Sequence, residues 1–110
     1  MNDIDKRISQ TLVKGISYRE LKIQINHYVK QGKWYSVQGL MQNLKNDIWM
    51  KLYTFPCNHP SEFSKISDWK DWAVRRVFTD LMPFVQNHDA DGLHNELGFI
   101  FEEMMTGLIK

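Results

Sequence analysis

The chain has few of the residues that staple or interrupt a fold. It contains one cysteine, Cys57, so no disulfide can close within it and no cysteine pair can hold zinc. Such usage points to a reducing compartment. With three prolines and six glycines, it is neither collagen-like nor a Pro/Gly-rich disordered chain. Long apolar runs are missing too. The longest without glycine is LMPFV, residues 81–85, far short of a membrane span. The opening MNDIDKRISQ is polar and charged, with no apolar stretch of a secretory signal. We therefore expect a soluble, cytoplasmic protein with no membrane association. Charge of either sign is also nearly balanced, at a net +1, which argues against a general nucleic-acid binder.

What is present suits one folded unit. Hydrophobic residues make up 43% and charged residues 25%, too apolar for disorder. Residues 1–110 read as a single domain, and a chain this long buries roughly two-thirds of its unfolded surface. The charges are segregated. Residues 1–55 carry nine basic and four acidic side chains, whereas residues 86–110 carry five acidic ones against Lys110. Such asymmetry bears on partners rather than on fold.

Apolar spacing is helical almost throughout. A first helix opens at Asn2 or Asp3, places Ile4, Ile8 and Leu12 four apart, and ends at Gly15. Ser17 and Glu20 form a capping box for a second helix with Leu21, Ile25, Tyr28 and Val29 inward, and Gly32 stops it. A third helix runs from about Lys33 to Tyr53. TFPCNHPSE then breaks the pattern as an ordered loop, with a short extra turn near Ser61–Ser64. Ser67 is the expected N-cap of a fourth helix bearing Trp69, Ala73, Val77, Leu81 and Phe84, kinked or ended by Pro83. A fifth helix, capped by Asp89 or Asp91, turns Leu93, Leu97, Ile100, Met104 and Leu108 inward. The expected fold is an all-α, single-domain bundle of about five helices.

Catalytic and metal-binding patterns are weak. There is no Gly-rich phosphate loop, no G-x-S-x-G and no H-E-x-x-H. Cys57 near His59 reads as a loop thiol rather than an activated nucleophile. His88, Asp89, Asp91, His94 and Glu96 offer metal-ligating atoms, and DADG has the look of a calcium loop. Leu93 and Ile100 stand where that loop needs oxygen ligands, and capping explains the aspartates. The expectation is a non-enzyme with no metal and no cofactor.

Three surfaces stand out at about 100° per residue. On the fifth helix Phe101 falls with the core residues, while Phe99 falls on the side of Asp89, Glu96 and Glu103. An aromatic ring rimmed by carboxylates suits a protein-binding hot spot. The second helix aligns Arg19, Lys22, Asn26, Lys30 and Lys33, with Ile23 among them. That face is either a solvated charged surface or a contact for phosphates or an acidic partner. On the fourth helix Trp72, Arg75, Arg76 and Thr79 share a side. There Trp72 and Arg76 either stack to hold a base or form an edge of the core covered by an arginine stem.

The stretch HYVKQGKWYSVQGLMQNL has a helix ending at Gly32, then an aromatic and an apolar helix with Leu40 and Leu44 four apart. From Asn26 to about Leu44 it resembles small all-α bacterial immunity proteins of contact-dependent toxin systems. It carries Lys33 where such proteins often have an acidic residue. The resemblance implies a cytoplasmic inhibitor that binds one cognate toxin and blocks its active site. The leading expectation is thus a protein-binding inhibitor acting through Asp89, Glu96, Phe99 and Glu103. The alternative is a small nucleic-acid-binding regulator of phage or mobile-element type using Arg19, Lys22, Lys30 and Lys33, with Arg75 and Arg76. A homodimer through Ile23 or Phe99 is a third reading.

Overall fold

Single side chains set the helix ends. The computed structural model describes residues 3–109. Helix α1 spans Asp3–Gly15; Asn2, the other candidate cap, lies outside the described residues. The Ser17 hydroxyl accepts the Glu20 amide at 3.1 Å and opens α2, Tyr18–Lys30. Gly32 then adopts φ 69°, a left-handed conformation that glycine takes without strain. Its amide bonds to the Val29 carbonyl at 3.0 Å and the Lys33 amide to that of Tyr28 at 2.9 Å, a Schellman closure. The chain thereby reverses into α3, Trp34–Tyr53.

The fourth helix departs from expectation. Helix α4 spans Glu62–Trp72, so Ser67 is an exposed residue inside it rather than its cap. The reason lies in the preceding turn. The amides of Glu62 and Phe63 bond to the carbonyls of His59 and Pro60 at 3.0 and 3.1 Å. The Glu62 carboxylate accepts the Asn58 amide at 2.7 Å and Arg7 at 3.0 Å. What reads as a separate turn near Ser61–Ser64 is the first turn of this helix. The Asn58 amide, followed by Arg7, holds the Glu62 carboxyl below its ordinary range.

From Ala73 to Thr79 the helix widens to π-type pairing, closed by the Asp80 amide on the Arg75 carbonyl at 2.7 Å. The break expected at Pro83 therefore comes earlier, at Asp80 and Leu81. Pro83 sits in the first turn of α5, Met82–Gln86, where a missing amide costs little. Helix α6 spans Ala90–Thr106, and Asp89 caps it by accepting the Gly92 amide at 2.9 Å. Gly107 ends it at φ 71°. That left-handed turn takes Leu108 off the helical wheel, so Leu108 is 62% exposed instead of inward.

The result is an all-α bundle in one domain, with no strand among the described residues. α3 is its axis, packed against α1, α2, α4, α5 and the π segment, and α6 closes the far side against α1, α2, α5 and the π segment. Ile8, Leu12, Ile25, Met41, Ile48, Leu93 and Leu97 are sealed in one core with Trp69 and Trp72. Polar atoms drawn into this core are satisfied. The buried Ser9 hydroxyl on α1 lies 2.6 and 2.9 Å from the carbonyls of Met104 and Met105, in the last turn of α6. The Trp69 indole donates to Asp5 at 2.9 Å. No helix among the described residues is long and apolar enough to cross a membrane.

Candidate functional site

The two phenylalanines of α6 separate as their spacing predicts. Phe101 is buried and stacks on Tyr18 of α2, with ring centroids 4.3 Å apart and planes 9° from parallel. Phe99 points the other way and is 59% exposed. It stands in an open groove of about 650 Å³ between the π segment and α6, whose wall also carries Arg75, Arg76, Asp80, Glu96, Glu102 and Glu103. Leu108, turned out by Gly107, adds a second apolar side chain.

Arg76 organises this groove. Its Nε and Nη2 donate to one Glu103 oxygen at 3.1 and 2.7 Å, its Nη1 to Asp80 at 3.0 Å, and its Nη2 lies 2.9 Å from Glu96. The other Glu103 oxygen accepts the Trp72 indole N–H at 3.3 Å. Burial works against the Arg76 charge, but the bonds to Glu103, then Asp80 and Glu96, outweigh it and raise the guanidinium's pKa still further. The pairs with Glu96 and Glu103 join the π segment to α6 across the groove. Two arginines face four carboxylates on its wall, so it keeps a surplus of negative charge beside the Phe99 ring.

The structure gathers Glu96, Phe99 and Glu103, with Glu96 and Glu103 bound to Arg76. Asp89 is not with them. It caps the opposite end of α6, about 20 Å from Glu103 at helical rise. Of the two readings of Trp72 and Arg76, base stacking does not fit and the core edge does: Trp72 is only 1% exposed, and both side chains converge on Glu103. This is an edge of the core covered by arginine. Arg75 remains exposed. Asp80, Glu102 and Leu108 are groove residues that spacing alone did not single out. Asp80 was within reach, since it lies four residues from Arg76.

On α2, Arg19, Lys22, Ile23 and Lys30 are all exposed. Lys33 is exposed too, but it lies beyond Gly32 at the start of α3, so it does not continue the α2 face as its spacing suggested. The Lys22 ammonium lies 4.4 Å from the Tyr18 ring centroid. α2 does not pack on the π segment, so this face and Arg75 and Arg76 do not form one patch. Cys57 is half-buried, with its sulfur 3.9 Å from the Phe55 carbonyl. His94 hydrogen-bonds to Asn26 at 2.9 Å, tying α6 to α2. Among the described residues no three His, Cys, Asp or Glu side chains converge as a metal site would require. No family model, curated protein or solved structure matches this chain.

Proposed function

We propose that the chain is a non-enzymatic protein-binding module, most concretely an inhibitor of the immunity type that neutralises a cognate toxin or another macromolecule. The observation that carries this reading is the exposed Phe99 ring in a preformed groove with surplus negative charge. A basic surface complements it, and the cationic active site of an enzyme acting on nucleic acid is such a surface. Phe99 and Leu108 would anchor apolar contacts while Glu102, a groove carboxylate that does not bind Arg76, and the groove's net negative charge steer approach. The resemblance of residues 26–44 to bacterial immunity proteins supports the same class, and so does the lack of a catalytic pattern. The protein then acts in the cytoplasm, without cofactor or metal.

The test places a photo-crosslinking phenylalanine at position 99 in the source cells. The captured protein is purified and its activity assayed with added chain. Stoichiometric inhibition by the parent, lost with Phe99→Ser, is expected. Equal inhibition by Phe99→Ser, or a turnover by the chain itself that dies with Cys57→Ala or His94→Ala, contradicts the reading.

One observation favours a second reading. None of the ion pairs among the described residues involves Arg19, Lys22, Lys30 or Lys33. A nucleic-acid-binding regulator would use that free basic face. Its binding to DNA or RNA would weaken steeply with salt, and a lack of binding at low salt removes it.

A further inference from the structure

Large rings left outside the core line the flank where α3 meets α4. Lys45, Trp49 and Tyr53 recur every four residues on α3, and Lys70 and Phe78 face them from α4 and the π segment. The Lys45 ammonium lies 5.9 Å from the Phe78 centroid and 6.0 Å from that of Trp49. The Lys70 ammonium lies 5.6 Å from Trp49 and 5.5 Å from Tyr53. Rings and cations therefore alternate in one file: Phe78, Lys45, Trp49, Lys70, Tyr53. The Trp49 indole is pinned by donating to the Lys70 carbonyl at 3.1 Å. Tyr53, at the end of the file, is 79% exposed.

We propose that this file is a docking surface for an acidic protein segment. The carboxylates of that segment would pair with Lys45 and Lys70, and its apolar side chains would lie along the edges of Trp49 and Tyr53. Neither lysine takes part in any of the ion pairs among the described residues, so both ammonium groups can pair with a carboxylate from outside. The contrast is Arg76, whose charge is taken up by the chain's own carboxylates. Each lysine is already held between two rings, so fixing it on binding costs less side-chain entropy. The same arrangement disfavours single-stranded nucleic acid. Base stacking needs open ring faces, and here an ammonium lies over at least one face of each ring while the Trp49 indole is pinned to the Lys70 carbonyl. The file shares no residue with the α6 groove, so either surface can fail without the other.

The test is an amide NMR titration of the full chain with a synthetic peptide of glutamate and leucine at helical spacing. Its glutamine counterpart and oligo-dT serve as comparisons. The glutamate peptide is expected to shift amides around Lys45, Trp49 and Lys70, and the other two probes are not. Lys45→Glu with Lys70→Glu should weaken binding by roughly tenfold or more. Circular dichroism checks the fold of that double variant, and Lys45→Gln with Lys70→Gln repeats the test with a milder change. The proposal is overturned if the glutamate peptide shifts nothing at low salt or shifts only α2. It is equally overturned if oligo-dT binds the file more tightly, or if folded double variants bind as the parent does.

Discussion

Arg76 is where the candidate site and the stability of the bundle meet. Its guanidinium serves three carboxylates, and Glu103 in turn holds the Trp72 indole. Arg76→Ala leaves the half-buried Glu103 charge without its cation. We expect a loss of about 2–3 kcal/mol in urea unfolding, well beyond a surface ion pair. A change within 0.5 kcal/mol, the usual range for surface substitutions, would show that the pair is not structural. Glu62 gives the pH prediction. Its folded pKa is depressed from an ordinary 4.5, so its contribution is present above that value and lost as pH falls through the lower folded value. Glu62→Gln should therefore be less stable than the parent at neutral pH, with the gap closing in acid. A gap independent of pH would contradict the assignment. The opposite fates of Phe99 and Phe101 were legible from spacing, because both lie in one uninterrupted helix. The tie of Arg76 to Glu103 was not, because it spans 27 residues and depends on how two helices pack.

Elements were legible where a cap is local. Ser17, Gly32 and Asp89 each mark a boundary within a few residues of the bonds they make. The start of α4 was not, because Glu62 is held partly by Arg7, 55 residues away. Ser67 offered a plausible cap and the turn near Ser61–Ser64 read as separate from the helix, yet that turn, with Glu62 bonded to the Asn58 amide and to Arg7, is where the helix starts. The π widening of Ala73–Thr79 has no counterpart in apolar periodicity either. The end of α6 bears on the site, since the left-handed Gly107 sends Leu108 to the groove. Gly107→Ala strains that turn and should cost about 1 kcal/mol, read as a lowered thermal midpoint. An unchanged or higher midpoint would mean the turn does not depend on glycine.

At the scale of the whole molecule, the sequence foretold a helical bundle with a basic front half and an acidic end. It did not foretell how much of that charge is spent internally. Glu96 and Glu103 belong to the acidic side of α6, yet both are bound to Arg76, as is Asp80, so on the proposed reading Phe99 and Glu102 carry recognition. The exposed Ile23 and Phe99 also fit a symmetric pair of chains. Sedimentation separates the two ideas. A monomeric parent is expected, with Phe99→Ser unchanged, whereas a dimer dissociated by Phe99→Ser would assign the ring to self-association.

The most direct measurement is titration calorimetry of the partner captured from position 99 against the parent, Phe99→Ser and Val13→Ser, the last an exposed apolar control on α1. The account predicts a loss of about 2 kcal/mol or more for Phe99→Ser and parental affinity for Val13→Ser. Parental affinity for Phe99→Ser would contradict it.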